Sequence, residues 1–313
     1  MRSTEKTGIK LLCICLLFGQ SVFLAGCGEK PAVEVDADKL PSNEGGFETP
    51  AFLDSAYHGE TAASVDEAYI DTSAVSEGYV AVSAYSDARL KFQVITDEET
   101  YNYDISSEGK PSVFPLQSGN CYYTFRVMKN IVDSKYAELC STGADVWMGD
   151  EFQPYLRPSD YVNYSPDSVC VQKANELAAA ASDVNGVVAN IYDYVCDNIR
   201  YDKPKAENIQ SGYLPDPDET LTTGKGICFD YASLTAGMLR SQGIPTRVIF
   251  GYVSPNDVYH AWNMFWTQET GWITVSFEVS GNEWNRMDLT FSANGSDDSF
   301  IGDGGNYTDV YKY

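Results

Sequence analysis

The spacing of apolar residues changes along the chain from alternation to a helical period and then to apolar runs. From Tyr79 to Tyr155 the chain consists of short alternating segments, among them 79–83, 90–95 and 122–127, with turn-forming residues between them. Strands at this spacing predict a small antiparallel sandwich. We therefore assign residues 63–157 to an all-β, sandwich-like domain.

A helical period begins after residue 158. Apolar positions recur at helical spacing over 167–181 and again over 187–199, and Asp183 to Gly186 breaks the pattern between them. The two segments predict a helical hairpin. The stretch 200–223 that follows contains three prolines and is predicted to be a loop.

A third helix is predicted over 227–242. Its apolar stripe follows i, i+4, i+7 and i+11 spacing: Ile227, Tyr231, Leu234 and Met238. Gly243 supplies a left-handed cap, and Pro245 prevents continuation. Cys228 therefore belongs to the first turn, where unsatisfied N–H groups and the positive helix end favour a thiolate. Asp230 would raise the pKa of this thiol if it faced the sulfur, but the spacing directs the two side chains to different sides of the helix.

Four apolar runs after this helix predict an antiparallel sheet, namely 246–253, 259–267, 272–279 and 284–291. His260 lies at the start of the second run, a rigid position for a general base. The chain has only one other histidine, His58, in a polar N-terminal segment. We expect an α+β fold in which the helix with Cys228 packs on this sheet, within a domain at 158–313.

Five motifs occur in a set order in this second half: Gly226-x-Cys228-x-Asp230-Tyr231-Ala232, Gly243-Ile244-Pro245-x-Arg247, Gly251-Tyr252-Val253, His260-Ala261-Trp262-Asn263 and Asp288-x-Thr290-Phe291. Their order resembles the transglutaminase-like superfamily of papain-type cysteine enzymes, over roughly residues 158–293. The resemblance implies a Cys-His-Asp triad that transfers the acyl group of an amide through an acyl-enzyme. By position, Cys228 is the nucleophile, His260 the base and Asp288 the residue that orients the imidazole.

The third member of the triad has a rival. The Asp-Pro-Thr of the family is Asp288-Leu289-Thr290 here, and the segment between His260 and Asp288 is longer than in the simplest members. If the turn at 268–271 closed a simple hairpin, residue 279 would lie opposite His260, and Glu278 could replace Asp288. We prefer Asp288, because residues 287–291 match the motif and residues 280–283 can close an inserted hairpin.

Composition and charge argue against several classes of binding partner. The formal charge of -24 disfavours nucleic acid, which is bound largely through Lys and Arg contacts to phosphate. The two distant histidines give no zinc pattern, and the aspartates in the tail at 294–306 fit no calcium-binding EF-hand. We expect no metal or cofactor, and a solvated turn in the tail.

The N-terminus resembles a bacterial lipoprotein signal. Three cations precede an apolar run at 11–24 that is too short to span a bilayer comfortably, and Leu24-Ala25-Gly26-Cys27 resembles a lipobox. We expect a signal peptide at 1–26, lipid on Cys27 and a flexible tether at 27–62. The protein would then be anchored to the extracytoplasmic face of the cell membrane. The alternative is an ordinary signal peptide whose cleavage site precedes a cysteine.

Five cysteines remain after Cys27 and the two within the signal, and this location permits disulfides. Pairing Cys121 with Cys140 and Cys170 with Cys196 would leave Cys228 as a thiol. The alternative is that these four cysteines are small buried residues.

The function expected from the resemblance is a thiol enzyme that acts on amide bonds of protein or peptide substrates. Hydrolysis and crosslinking share the acyl-enzyme and differ in the acceptor. We place hydrolysis slightly ahead, because bacterial members of this superfamily are often expected to be proteases or amidases. The alternative from another class is a non-catalytic cell-surface binding or scaffold protein that keeps the fold.

Overall fold

The computed structural model describes residues 46–253, 258–275, 277–280, 283–286 and 307–313. The signal segment, Cys27, Asp288 and the tail at 294–306 lie outside these residues. Among the described residues, no helix reaches the length and hydropathy needed to cross a bilayer.

Eight strands form the first half of the described chain: β1 (Ala63–Val65), β2 (Ala68–Asp71), β3 (Tyr79–Ala84), β4 (Leu90–Ile95), β5 (Thr100–Ile105), β6 (Ser112–Pro115), β7 (Tyr122–Val132) and β8 (Lys135–Asp145). They form two four-stranded antiparallel sheets, in the orders β1-β2-β3-β6 and β5-β4-β7-β8. Along β4, Leu90, Phe92 and Val94 are buried and alternate with partly exposed residues. The alternation seen in the sequence therefore buries one face of this sheet.

Five helices follow: α1 (Val169–Ala179), α2 (Val184–Asn198), α3 (Lys203–Asn208), α4 (Pro217–Thr223) and α5 (Cys228–Ser241). The helical hairpin and the third helix lie where the apolar period predicted them. Asp183 does not merely break the first helix, because its carboxylate accepts the N–H of Gly186 and caps α2.

The prediction of a loop over 200–223 was wrong, because this stretch contains α3 and α4. Pro204 and Pro217 lie in the first turns of these helices, where a missing N–H costs no hydrogen bond. Asp202 and Asp216 cap the two helices through their side chains. The prediction treats proline as a helix breaker, whereas at these two positions proline lies in the first turn of a helix.

The remaining strands are β9 (Arg200–Tyr201), β10 (Lys225–Gly226), β11 (Thr246–Val253), β12 (Val258–Thr267), β13 (Gly271–Val275), β14 (Phe277–Ser280), β15 (Glu283–Arg286) and β16 (Tyr307–Lys312). Four of them form an antiparallel sheet in the order β13-β12-β11-β16. The strand predicted at 272–279 is divided, since β14 leaves this sheet and pairs with β15. The strand predicted at 284–291 is β15 as far as Arg286, and its remainder lies outside the described residues.

Helix α5 packs on β11 and β12. The buried Asn263 of β12 donates to the carbonyl of Ala232 in α5 at 2.9 Å, which fixes the strand to the helix. The described part of the chain is thus an α+β protein with a helix on an antiparallel sheet, preceded by an all-β unit, as predicted.

Part of the predicted tether is packed against the helices. The N–H of Phe47 donates to the carbonyl of Ala181, and the hydroxyl of Thr49 donates to Gln242 at 2.7 Å. Phe52 contacts the ring of Tyr164 edge to face, with centroids 5.6 Å apart. The prediction of a flexible tether is wrong for this stretch, because two phenylalanines in a polar sequence anchor it to the core.

The cysteines do not form the disulfides that were considered, since Cys121, Cys140 and Cys170 are free thiols. Cys140 lies opposite Val127 in the β7–β8 ladder, six residues along the chain from Cys121. That spacing separates the two by about 20 Å, too far for a disulfide. Cys140 and Cys170 are buried, as the alternative expected, whereas Cys121 and Cys196 are partly exposed.

Aromatic side chains join the all-β unit to the helical half. The buried Tyr103 of β5 stacks on Phe114 with centroids 4.0 Å apart, and it meets Tyr161 and Tyr313 edge to face. Tyr161 in turn meets Phe229 of α5 at 5.4 Å. The buried residues therefore form one continuous core rather than two.

We expect Tyr103→Ala to destabilise the protein by about 3–5 kcal/mol, because it removes a buried aromatic side chain at this junction. Urea unfolding followed by tryptophan fluorescence measures the change. Tyr122→Ala serves as the control, since Tyr122 is 58% exposed and its loss should change the free energy of unfolding by only about 0.5 kcal/mol. Equal losses for both variants would contradict a shared core that passes through Tyr103.

Candidate active site

The first turn of α5 is fixed by a buried carboxylate. Cys228 is the first residue of the helix, and Ile227 before it has an extended backbone. The side chain of Asp230 turns back, and its Oδ2 accepts the N–H of Ile227 at 2.8 Å. This is the reciprocal bond of a capping box, and it holds the helix start at the cysteine.

Two further groups bind the same carboxylate. The ammonium of Lys205 lies 2.8 Å from Oδ2 of Asp230, and the hydroxyl of Tyr213 donates to Oδ1 at 2.5 Å. The Lys205 nitrogen also lies over the Tyr213 ring, 4.7 Å from its centroid. Burial, followed by the bond to Asp230, raises the pKa of Tyr213 well above its usual value. Asp230 is thus a fully buried anion with a cation and a phenol as partners.

Gly226 is required by the approach of Asp230. A Cβ atom at position 226 would lie 2.6 Å from the Cβ of Asp230. Real Cβ atoms do not approach other side-chain atoms this closely. The backbone beside it is held by the parallel β9–β10 pair, in which Asp202 N–H donates to the carbonyl of Gly226 at 2.9 Å. The glycine two residues before the cysteine therefore admits the capping carboxylate.

His260 lies in β12, opposite Gly251 of β11, and its ring stacks on Trp262 with centroids 6.4 Å apart. Its neighbour Tyr259 has a pKa raised to about 12, chiefly by burial and then by Tyr311, Tyr252 and Cys228. Cys228 is therefore within electrostatic reach of Tyr259. The structure brings the first turn of α5 and the first residues of β12 into one region, and Cys228 and His260 are both partly exposed there.

The proposed third member, Asp288, lies outside the described residues. Glu278 was considered as its rival if the β12–β13 hairpin continued as far as His260. Among the described residues, the last pair of this ladder is Asn263–Val275, and Asn263 lies three residues after His260 in β12. Glu278 belongs to β14, where its backbone pairs with Asn285 of β15.

In the described part of the chain, no group of His, Cys, Asp and Glu side chains is arranged to hold a metal ion. His58 is exposed, and its Nδ1 lies 3.5 Å from the buried carboxylate of Asp71. It belongs to the N-terminal region and not to α5 or β12.

Sequence reasoning missed Lys205 and Tyr213, because both lie in the stretch predicted as a loop. The sequence does contain a signal for the helix that carries Lys205. Asp202 followed by Lys203 and Pro204 is the pattern of a capped helix start with proline in the first turn. Tyr213 had no local signal, since only the folded chain brings it to Asp230.

A helix that begins with a cysteine and packs on an antiparallel sheet makes the described part of the chain an α+β protein. Residues 171–277 match the family model of the transglutaminase-like superfamily. This segment of the chain is thus similar to proteins of that superfamily.

Curated relatives match short segments of this chain. A UPF0252 protein from Methanocaldococcus jannaschii is 33% identical over 85 residues, which cover 26% of this chain and 24% of that protein. A protein-glutamine gamma-glutamyltransferase from Pseudomonas aeruginosa is 37% identical over 70 residues, or 18% of this chain and 10% of that protein. The chain therefore spans about a quarter or less of the length of these two relatives.

Matches among solved structures have low sequence identity and low TM-scores. A cysteine protease candidate from Cytophaga hutchinsonii is 15% identical with a TM-score of 0.36, covering 67% of this chain and 70% of that one. Red sea bream transglutaminase is 13% identical with a TM-score of 0.30, covering 63% of this chain and 47% of that one.

We expect Gly226→Ala to destabilise the protein by about 1–3 kcal/mol, because the new methyl group overlaps the Cβ of Asp230. Chemical denaturation measures the loss. Gly149→Ala is the matched control, since a Cβ at position 149 meets no atom within 4 Å. A Gly226→Ala variant as stable as Gly149→Ala would contradict the close approach of Asp230.

Proposed function

We propose that this protein is a thiol enzyme that cleaves or transfers amide acyl groups of protein or peptide substrates. The observation that carries the proposal is the position of Cys228, at the positive end of a buried helix that packs on the strand with His260. The transglutaminase-like match over 171–277 supports the same chemistry. We keep Cys228, His260 and Asp288 as the proposed triad.

In this mechanism the Cys228 thiolate attacks the amide carbonyl carbon, and a carbon–sulfur bond forms. The backbone N–H of Cys228 contributes to binding the developing oxyanion. The carbon–nitrogen bond then breaks, and the protonated His260 gives its proton to the leaving amine. Water or a second amine then attacks the thioester carbonyl and transfers a proton to His260. The carbon–sulfur bond breaks, and the product and the Cys228 thiolate are released.

Three of the other thiols, Cys121, Cys140 and Cys170, are poorly suited to this role. Burial raises the pKa of Cys121 and of Cys140, and burial together with Asp218 raises the pKa of Cys170 well above its usual value. Each is therefore mostly protonated at neutral pH and a weak nucleophile. Cys170 and Cys140 are also buried. These surroundings favour Cys228 as the reactive cysteine.

We expect wild-type protein to cleave members of a peptide library, and Cys228→Ala to leave every peptide intact. Mass spectrometry identifies the products, with and without an added primary amine. Hydrolysis gives free carboxylates or deamidated glutamine, whereas transfer adds the mass of the amine. Hydrolysis is the result we favour when no amine is supplied.

The same assay compares Asp288→Asn with Glu278→Gln. Loss of turnover in the first variant alone assigns the third role to Asp288. A wild-type chain that changes no peptide while binding some of them would instead support the non-catalytic binding protein, and would overturn the proposal.

We also propose that lipid on Cys27 anchors the protein to the extracytoplasmic face of a bacterial membrane. The lipobox-like Leu24-Ala25-Gly26-Cys27 supports this location. In a bacterial host, wild-type protein is expected in the detergent phase of a Triton X-114 partition, and Cys27→Ser in the aqueous phase. Wild-type protein found in the aqueous phase would contradict the anchor.

A further inference from the structure

A buried anion two residues from a thiolate needs an explanation, because like charges oppose each other. Asp230 is fully buried in the first turn of the helix that begins at Cys228. We infer that Lys205 is a positioning residue of this site: its ammonium neutralises Asp230, so that the carboxylate caps the helix without disfavouring the Cys228 thiolate. The inference rests on the proposed function of Cys228.

The geometry around Asp230 gives Lys205 this role. The carboxylate oxygens have three donors, namely the N–H of Ile227, the hydroxyl of Tyr213 and the ammonium of Lys205. Only the ammonium carries a charge. A buried carboxylate that keeps its two neutral donors and loses its cation remains an uncompensated charge in a region of low dielectric.

Backbone contacts fix the lysine in place. Asp202 accepts the N–H of Lys205 at 3.0 Å and caps α3, while its own N–H donates to the carbonyl of Gly226. The segment that carries the lysine is therefore bound to the glycine that admits Asp230. Lys205 is 27% exposed, so its charge is screened less than that of a surface lysine.

Other ionisable groups also lie around the start of this helix. Asp216, which caps α4, and Glu219 of α4 act electrostatically on Tyr213 and add negative charge on that side. Tyr259 of β12 stays neutral below its raised pKa of about 12. His260 of β12 carries a positive charge when it is protonated, and Arg200 of β9 acts electrostatically on Tyr231 of α5. Lys205 is thus the permanent cation that directly contacts the capping carboxylate.

The test measures thiolate formation directly, without a substrate. Full-length variants are alkylated with iodoacetamide from pH 5 to 10, and peptide mass spectrometry follows the rate at Cys228. We expect Lys205→Met to move the midpoint of the rate profile up by about one pH unit, which lowers the rate well below the midpoint about tenfold. Lys203→Met is the matched control, since Lys203 is an exposed lysine of the same helix and its profile should match wild type.

Two further variants separate charge compensation from disruption of the fold. Asp230→Asn keeps an oxygen acceptor for the N–H of Ile227 but leaves Lys205 unopposed, so its midpoint should fall below that of wild type. The double variant Lys205→Met/Asp230→Asn removes both charges and should return the midpoint to within about 0.3 of the wild-type value. Should Lys205→Met fail to fold, these two profiles decide the question.

Unchanged midpoints in folded Lys205→Met and in Asp230→Asn would overturn the role of Lys205. So would a double variant that stays as slow as Lys205→Met, because damage to the helix start would then explain the loss. Failure of the proposed function gives a different result. In that case wild-type Cys228 would be alkylated no faster than Cys170, and His260→Ala would leave its rate unchanged.

Discussion

The bond between the Asp230 carboxylate and the N–H of Ile227 is the constraint on which the site depends. It sets the residue at which α5 begins, and therefore places Cys228 in the first turn. The same bond requires glycine at position 226, because no Cβ fits against Asp230. It also requires partners for a buried charge, which Lys205 and Tyr213 supply.

Both ends of this helix hold buried charges of the sign that the helix dipole favours. At the C-terminal end the buried Arg240 donates to the carbonyls of Thr246, Arg157 and Tyr313. Burial lowers the pKa of Arg240 to about 10. Its three acceptors come from separate segments, so one side chain joins the helix to the chain before it and to β11 and the last residue. The residues from Asp230 to Ser241 are buried throughout.

The all-β unit is connected, through Tyr161, to the residue that follows the proposed nucleophile. Phe229 meets Phe250 of the sheet at 4.7 Å and Tyr161 at 5.4 Å, and Tyr161 is in contact with Tyr103 of β5. Aromatic rings in such edge-to-face contacts pack at defined angles and resist displacement. The first domain is therefore part of the packing that supports the start of α5, and not only a spacer before it.

Local patterns in the sequence predicted many of the strands and helices of this protein. Alternating residues predicted the strands of the first half, the apolar stripe from Ile227 predicted α5, and motif order predicted the similarity to the transglutaminase-like family model over residues 171–277. The two short helices with proline in the first turn were missed, because proline both interrupts helices and occurs in their first turn. The packing of Phe47 and Phe52 was missed because the polar residues around them predict a tether. Only the tertiary structure brought Lys205 and Tyr213 to Asp230, since long-range contacts between single polar residues leave no periodic trace in a sequence.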